Sequence, residues 1–358
     1  MESTVAESDA WDVETIEEPE VEEQDVATYK ISYYPADLTL KGYLDKWRAD
    51  QLIIPPFQRS YVWDQVKASK LIESFLLGLP VPGVFLYKER ETNKLQVIDG
   101  QQRILSAVRF FKNEFEEKIF RLKNVNSKWN GKTYAQLDEV DRLQLDDTVL
   151  RATVVQQLDP DDDSSVFHIF ERLNTGGINL NPMEIRKCVF MGPQFQMLED
   201  LNALDTWRKL IGQPRIDKRY RDSELVLRVI ALHDSWATYK KPMKGFLNSY
   251  LTKLKKLGSG SRDAEVGKTK AKLTKVFQYA LEQLGERPFH LRGRLNYAAM
   301  DSTLVAASIA LEKGLNDLKE RYDVLVADPD YQDWIASDTS DEKVLIARIS
   351  RAISVLAE

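Results

Sequence analysis

The side chains best suited to chemistry form one short polar run, Asp99-Gly100-Gln101-Gln102-Arg103. Residues 95–98 before it have the apolar composition of a short buried strand, and the apolar positions 104, 108, 111 and 115 after it have helical spacing. The helix is therefore expected to open at Ile104, which leaves the run at a strand-to-helix turn. A helix N-terminus has unpaired N–H groups and a dipole that attracts anions, so this turn predicts an anion site.

Each member of the run has a use at such a site. Gly100 permits a tight bend and a close approach of the backbone to a ligand, while Gln101 and Gln102 offer neutral donors and acceptors. Arg103 brings a planar cation suited to phosphate, and Asp99 or Gln101 is placed to position a water molecule or a metal ion. The alternative is an ordinary helix start, capped by Asp99, with solvated amides and a surface arginine.

A second polar segment, residues 56–63, is held extended by prolines and mixes aromatic side chains with Gln58 and Arg59. After it, residues 65–77 are predicted to form a helix that glycine and proline end. Two strands, residues 84–87 and 95–98, are predicted to form a hairpin that leads into the polar run.

A third segment combines a glycine loop with flanking cations. Asn181, Pro182 and Glu184 are expected to start a helix after the loop, as N-cap, N1 and N3. The glycines suit the loop to close contact with phosphates, although a plain helix–loop–helix corner is the alternative. No GxxxxGK[ST] sequence occurs, so a P-loop is excluded. The cations predicted to surround a triphosphate are Arg59, Arg103, Arg172 and Arg186.

Taken in order, the three segments resemble the N-terminal domain of GmrSD-type restriction endonucleases of prokaryotes. The matching residues are Pro56-Phe57-Gln58-Arg59 with Tyr61-Val62-Trp63, then Asp99-Gly100-Gln101-Gln102-Arg103, then Phe170-Glu171-Arg172-Leu173-Asn174-Thr175-Gly176-Gly177 and Leu180-Asn181-Pro182-Met183-Glu184-Ile185-Arg186. The resemblance implies an α+β fold of the ParB/sulfiredoxin-like kind over residues 29–190. It also implies nucleoside triphosphate hydrolysis that is coupled to a nuclease partner or domain.

Carried over residue by residue, the resemblance implies a catalytic set and a nucleotide-binding set. The catalytic residues would be Asp99, Gln101, Gln102 and Arg103. The cofactor would be a nucleoside triphosphate, GTP or ATP, with Mg²⁺ as a candidate companion ion. The residues that would hold this cofactor are Gln58, Arg59, Gly100, Arg172, Asn174, Thr175, Gly176, Gly177 and Arg186.

The composition is typical of a globular protein in water, with 358 residues, 43% of them hydrophobic and 30% charged. No apolar stretch approaches the roughly 20 residues of a membrane helix, and the acidic N-terminus is unlike a secretory signal. We therefore expect a cytoplasmic protein without membrane association. The single Cys188 excludes an internal disulfide and a thiolate zinc cluster, and the three histidines lack metal-binding spacing, so no resident metal site is predicted.

Charge is distributed unevenly along the chain. The net charge is −6, yet residues 1–27 hold 11 acidic residues and no Lys or Arg, which leaves +5 for the rest. Because this segment also has few large apolar residues, residues 1–28 are predicted to be an acidic disordered tail. Its role is either that of a solubilising tail, of a nucleic-acid mimic that shields a basic groove, or of an arm that docks a partner.

The second half of the chain, residues 191–358, is predicted to be an all-helical domain. Its expected helices cover residues 225–236, 247–254, 273–284, 297–311 and 342–356, with a mobile loop at 258–260. His233 falls on an apolar helix face and is expected to be structural. Residues 121–150, which lie between the motifs, are predicted to be an insertion with a helix over 133–145 that turns Leu137, Val140 and Leu143 inward.

A basic cluster interleaved with aromatic residues lies near the start of this helical domain. A protein that binds the DNA backbone would use such a cluster, although an ordinary solvated face has the same composition. The cluster comprises Trp207, Arg208, Lys209, Arg215, Lys218, Arg219, Tyr220 and Arg221, and a weaker group comprises Lys240, Lys241 and Lys244.

These observations predict a nucleotide-binding and NTP-hydrolysing component of a prokaryotic restriction or anti-phage system that contacts DNA. Many relatives carry an HNH nuclease domain, which needs paired histidines, whereas residues 191–358 have only His233 and His290. The expected partner is therefore a separate effector nuclease or a second copy of the chain. Two alternatives stay open: a nucleotide- or DNA-binding regulatory module without turnover, and a metal-dependent DNA nickase whose ligands are the acids at 159–163.

Overall fold

A computed structural model describes residues 31–55, 61–90, 92–158 and 181–358, with only the backbone described at Cys188. These residues fall into two compact units, one within Val26–Val189 and the other within Phe190–Glu358. Several predicted features lie outside the described residues. They are the acidic tail, the acids at 159–163, and the candidate ligands Gln58, Arg59, Arg172, Asn174, Thr175, Gly176 and Gly177.

The first unit combines strands and helices. Its described strands are β1 (Ile31–Thr39), β2 (Leu52–Ile53), β3 (Val84–Lys88), β4 (Leu95–Asp99), β5 (Glu114–Phe115), β6 (Lys118–Ile119) and β7 (Val149–Gln157). Its described helices are α1 (Leu40–Arg48), α2 (Gln65–Leu76), α3 (Gln101–Lys112), α4 (Glu139–Asp147) and α5 (Pro182–Val189), with a 3-10 turn at Tyr134–Gln136.

Five of the strands form one mixed sheet in the order β1-β7-β3-β4-β2. The pairs β1/β7 and β3/β4 are antiparallel, whereas β7/β3 and β4/β2 are parallel. The predicted hairpin of β3 and β4 is confirmed, and Asn93 in its turn adopts a left-handed φ of 57°. The predicted α+β class is likewise confirmed, and the inner strand β4 delivers the polar run to one end of the sheet.

One hydrophobic core holds the helices against this sheet. Alternate residues of β7, namely Leu150, Ala152 and Val154, share the core with Val84 and Val97 of the neighbouring strands. Helix α2 buries the apolar face that its spacing predicts. Each fully buried large apolar side chain contributes about 1.5–3 kcal/mol, so burial of these faces fixes where the strand ends and helix starts must lie.

Helix α3 begins earlier and ends earlier than its apolar spacing predicts. It starts at Gln101 rather than Ile104, and it ends at Lys112 because Asn113 adopts a left-handed φ of 62°. Phe115, predicted to lie on this helix, belongs to β5 instead, where its ring packs edge-on against Phe120 with centroids 5.0 Å apart. The earlier start places Gln101, Gln102 and Arg103 inside the first helical turn.

The inward face predicted for residues 133–145 is wrong at two of three positions. Leu137 is buried, but Val140 is 73% exposed and Leu143 is 56% exposed. The 3-10 turn ends at Leu137, and a new helix starts from Asp138, so the helical phase is reset and Asp141 and Leu145 turn inward instead. Leu122, Trp129 and Leu137 belong to the main core, so the predicted insertion is an integral part of this unit.

The second unit is helical throughout its regular structure. Its helices are α6 (Pro193–Asn202), α7 (Asp205–Leu210), α8 (Arg221–Ser235), α9 (Met243–Lys256), α10 (Ser259–Leu284), α11 (Tyr297–Glu312), α12 (Leu318–Ala327), α13 (Pro329–Trp334) and α14 (Glu342–Ala357). Helix α11 is buried on nearly all sides, as expected of a central helix. Within the described ranges, no helix is both long enough and apolar enough to cross a membrane.

The mobile loop predicted at 258–260 is wrong. Gly258 is the N-cap of α10, and Ser259 and Gly260 lie in the first turn of that helix of 26 residues. The glycines favour a loop locally, but the apolar face of Leu273, Val276 and Phe277 packs α10 against its neighbours, and this burial outweighs the cost of about 1 kcal/mol for a helical glycine. Only two residues, Leu257 and Gly258, therefore separate the end of α9 from the start of α10.

Candidate functional site

The polar run forms the junction between β4 and α3. Asp99 is the last residue of the strand, Gly100 is the N-cap with φ +96°, and Gln101 is the first helical residue. Gly100 has no side chain with which to cap the helix, and the first turn contains no acidic residue. The junction therefore combines backbone N–H groups with a positive dipole end, which is the arrangement that favours an anion.

Gly100 is required at this junction by the protein's own packing. A Cβ atom on Gly100 would lie 2.3 Å from Val84 Cγ1 and 2.7 Å from Val84 Cβ. The left-handed φ adds backbone strain for any other residue. The space that a side chain at position 100 would need is thus occupied by Val84 of strand β3.

Arg103 turns its guanidinium back to the end of the strand. Its Nη2 donates to Asp99 Oδ2 at 2.7 Å, and its Nη1 donates to the carbonyl oxygen of Pro82 at 3.0 Å. The Arg103 side chain is 16% exposed and that of Asp99 is 47% exposed. The cation that the sequence predicts for a phosphate is therefore paired with the carboxylate of the same motif, and an incoming phosphate would compete with Asp99 for it.

The charge of Arg103 also reaches the buried phenol of Tyr43. Burial raises the pKa of Tyr43, and the positive charge of Arg103 opposes this effect only in part. The Tyr43 hydroxyl donates to the carbonyl oxygen of Leu150 at 2.9 Å. This phenol stays protonated and structural, so it is no candidate for proton transfer at the junction.

Gln102 joins the second motif to the first. Its Oε1 accepts hydrogen bonds from the backbone N–H groups of Val62, at 3.0 Å, and of Trp63, at 3.3 Å. The structure therefore brings the described end of the 56–63 segment against the first turn of α3. Because its side-chain oxygen already has two donors, Gln102 acts here as an anchor for that segment.

Tyr61 provides a second attachment between the same two elements. Its hydroxyl shares a hydrogen bond of 2.8 Å with Ser106 Oγ, and Ser106 Oγ donates to the carbonyl oxygen of Gln102 at 2.7 Å. The Arg109 guanidinium lies 4.0 Å from the centre of the Tyr61 ring, within the range of a cation–π contact. Sequence reasoning missed Ser106 and Arg109, although they follow Gln102 by four and seven residues and so share its helix face.

The third motif is described only from Asn181 onward. Asn181 N donates to Glu184 Oε2 at 2.7 Å, and Glu184 N donates to Asn181 Oδ1 at 2.9 Å. The predicted start of α5 is thus confirmed as a reciprocal capping box. Arg186 is fully buried in this helix, so its guanidinium is not presented to solvent as a cation.

Metal-binding geometry is absent from the part of the chain that the structure describes. No group of three or more His, Cys, Asp or Glu side chains there could hold a metal ion. The acidic run at 159–163, the proposed ligand set of a nickase, lies outside the described residues. Asp99 is the one carboxylate of the polar run.

The basic cluster predicted to bind DNA is divided between the interior and the surface: Trp207 and Arg208 are buried, whereas Lys209, Arg215, Lys218 and Arg221 are exposed. Trp207 is fully buried and stacks on Phe277 with ring centroids 4.7 Å apart. Arg208 is buried and donates to Asp222 Oδ2 at 2.7 Å, while Arg221 pairs with Asp217 at 2.6 Å. Alternation of aromatic and basic residues identified this cluster, but a helix places half of such residues inward.

His233 occupies a half-buried position between two helices. Its Nδ1 lies 2.8 Å from Asp234 Oδ1 and its Nε2 lies 3.0 Å from Ser308 Oγ. This chain of contacts has the connectivity of a catalytic triad, but Ser308 is 1% exposed and lies in the middle of α11. A nucleophile must reach its substrate, so these contacts link helices α8 and α11 rather than form an active site.

Comparison with known families assigns the first unit. Residues 40–191 match the family model of the GmrSD restriction endonuclease, N-terminal domain. A search of curated proteins found none that matches the chain. The matched range contains the junction at Asp99, the Gln102 anchor and the capped helix α5. The chain thus contains, at residues 40–191, a domain that matches the family of GmrSD restriction endonuclease N-terminal domains.

Proposed function

We propose that residues 40–191 bind a nucleoside triphosphate, ATP or GTP, at the β4–α3 junction and hydrolyse it for a restriction or anti-phage system that acts on DNA. The observation that carries this proposal is the position of the polar run at a helix start that no side chain caps. The family assignment supports a link to DNA. It also supports our expectation of the ParB/sulfiredoxin-like fold and of a separate effector nuclease or a second copy of the chain as partner.

Phosphate groups would bind the backbone N–H groups at the start of α3. Arg103 lies in the same first turn, and its guanidinium would exchange its contact with Asp99 for a phosphate oxygen to neutralise developing charge. Asp99 is half exposed and then becomes available to orient a water molecule. The ion pair is thus a resting state of the site, with the cation held close by.

Gln102 would act as a positioning residue. Its Oε1 holds the backbone at Val62 and Trp63, and the predicted ligands Gln58 and Arg59 precede that segment directly in the sequence. Any change at the start of α3 is therefore transmitted to the segment that carries those two polar side chains. A Mg²⁺ ion, if it accompanies the triphosphate, would supply charge neutralisation, and Asp99 is the residue of the run with a carboxylate to hold it.

Phosphate release by the purified full chain tests this proposal. ATP and GTP would be supplied with Mg²⁺, with and without duplex DNA, to the native protein and to the variants Asp99→Ala and Arg103→Ala. Each change removes a charged group from the site, and we expect turnover to fall about 100-fold, the usual cost of one transition-state contact. Circular dichroism would confirm that both variants fold.

The matched control is a second Asp–Arg pair in the same unit. Asp37 of the edge strand β1 and Arg151 of the neighbouring strand β7 lie 3.2 Å apart, with side chains 61% and 74% exposed. Asp37→Ala and Arg151→Ala change the same charges in an exposed pair for which the structure describes no hydrogen bond or ion pair with Asp99 or Arg103, and they should leave turnover unchanged. Equal turnover in the native protein, Asp99→Ala and Arg103→Ala would refute the assignment of this site.

A second candidate function is favoured by the Asp99–Arg103 contact itself. Asp99 Oδ2 already accepts a hydrogen bond from Arg103 and is therefore less available to orient an attacking water molecule, which suits a module that binds a nucleotide as a switch and does not hydrolyse it. In that case calorimetric titration would show tight binding of a triphosphate, and no phosphate would be released over many hours.

A further inference from the structure

A long stretch of excess positive charge lies outside the matched domain. Residues 240–275 contain eleven Lys and Arg residues and only two acids, Asp263 and Glu265, in a chain whose net charge is −6. Within this stretch, residues 253–262 contain four cations and no acid. We name these ten residues the basic tip, and their cations are Lys253, Lys255, Lys256 and Arg262.

The basic tip is a compact corner between two helices. Helix α9 ends at Lys256 and α10 starts at Ser259. Arg262 Nη1 donates to the carbonyl oxygen of Lys255 at 3.5 Å, which folds the start of α10 back against the end of α9.

The corner is open to solvent. Lys253 and Lys256 are exposed, as are all four residues from Gly258 to Ser261. A Cβ atom added at Gly258 or Gly260 would meet no atom within 4 Å. A broad, rigid partner can therefore approach the backbone of the tip without displacing side chains.

Helix stability explains only part of this charge. Lysines in the last turn of α9 complement the negative end of its dipole, an effect of about 0.3–1 kcal/mol each at most. Arg262 lies in the first turn of α10, where the dipole disfavours a cation. Lys268 and Lys275 continue the excess along the exposed side of α10. The charge pattern therefore indicates a polyanionic partner.

We propose that the basic tip binds the phosphate backbone of double-stranded DNA. DNA carries one negative charge for about every 1.7 Å of its axis, which matches closely spaced exposed cations. An acidic protein would need apolar anchors as well, yet in the described ranges no large apolar side chain between 240 and 275 is exposed. This role rests on the proposed DNA association and gives the helical unit a contact that is independent of the junction at Asp99.

Fluorescence anisotropy of a labelled duplex of about 20 base pairs tests the proposal, with the full chain and no nucleotide. The native protein should bind with an affinity that falls steeply as salt rises, because cations displace condensed counterions. The double variant Lys253→Gln/Lys256→Gln should bind about tenfold more weakly at low salt. The magnitude of its slope of log affinity against log salt should fall by about two. Because no nucleotide is present, failure here leaves the hydrolysis proposal intact.

The control carries the same change in net charge elsewhere in the helical unit. Lys319→Gln/Lys343→Gln removes two exposed lysines from α12 and α14. Its affinity and salt slope should match those of the native protein. An equal loss in both double variants, or an unchanged slope in the tip variant, would overturn the proposal. No binding of duplex by the native chain at about 50 mM salt would also overturn it, and charge complementarity would then favour the acidic residues 1–27 as the partner of the tip.

Discussion

The ion pair between Asp99 and Arg103 determines what the junction offers a ligand. A helix start that lacks a cap and an acid attracts an anion, but the nearest cation is already bound at 2.7 Å by a carboxylate of the same motif. Phosphate binding must therefore gain more from Arg103 and the backbone N–H groups than the pair loses. Because Asp99 is half exposed, solvation of the released carboxylate lowers that cost.

Gly100→Ala should destabilise the first unit by about 2–5 kcal/mol, the sum of left-handed strain and overpacking against Val84. Valine has little rotamer freedom on a strand, so the neighbour cannot yield. Gly78→Ala is the matched control, since Gly78 has a similar φ of +68° and nothing within 4 Å of its added Cβ. It should cost about 1–2 kcal/mol. Urea unfolding followed by circular dichroism measures both, and equal losses would contradict the packing explanation.

At the scale of elements, Asp141 ties the loop at 127–131 to helix α4. Lys128 Nζ donates to its Oδ1 at 2.7 Å and Trp129 Nε1 donates to its Oδ2 at 2.8 Å. Burial acts to raise the pKa of Asp141, but these two hydrogen bonds outweigh it and hold the pKa below its usual value. Because its pKa is lower in the folded state than in the unfolded state, this carboxylate stabilises the fold at neutral pH. The stabilisation is lost as the pH falls through the folded-state pKa.

Asp141→Asn should therefore cost about 1–3 kcal/mol of unfolding free energy at pH 7. The difference from the native protein should shrink below about pH 4, where the unfolded carboxyl is protonated, and approach zero as the folded carboxyl follows. Urea midpoints at pH 7 and pH 3 give this comparison. Asp138→Asn is the control, because Asp138 is 62% exposed and its 3.3 Å pair with Lys132 is a surface contact. A difference for Asp141→Asn that does not depend on pH would contradict the assigned cause.

The helices and strands with strong periodicity could be predicted from the sequence, and the exceptions have physical causes. The hairpin of β3 and β4, the buried face of α2 and the capping box at Asn181 follow from local patterns that no tertiary contact overrides. Residues 133–145 could not be predicted, because a 3-10 turn shifted the helical phase. Ser259 and Gly260 lie in a helix, with Gly258 as its N-cap, because the buried face of α10 further along the chain stabilises the whole helix.

The candidate site was predictable as a location but not as a set of contacts. Strand and helix patterns placed the polar run at a junction, whereas the pairing of Arg103 with Asp99 and Pro82 depends on how β3 approaches α3. The Gln102 anchor likewise depends on where the chain returns after the prolines of the second motif. The sequence also could not separate the buried Arg208 from the exposed cations of the 207–221 cluster, because local composition does not reveal that Asp222 lies beside Arg208 in the fold.

For the whole molecule, we assign a different ligand to each of the two units. The matched unit holds the junction at which we place the triphosphate, and the helical unit holds the basic tip at which we place DNA. Nothing in this assignment requires a metal cluster or a membrane span in the described residues. An effector nuclease would then respond to the state of the first unit while the second unit keeps the chain on its DNA.

The most direct test of the central claim is hydrogen–deuterium exchange of the full chain with and without a triphosphate and Mg²⁺. We expect protection of the backbone N–H groups at 100–103, where phosphates bind, and at 62–63, which Gln102 Oε1 holds to the same helix start. Arg103→Ala should remove this protection at nucleotide concentrations that saturate the native protein. Saturating binding that protects other segments and leaves 100–103 unchanged would contradict the account.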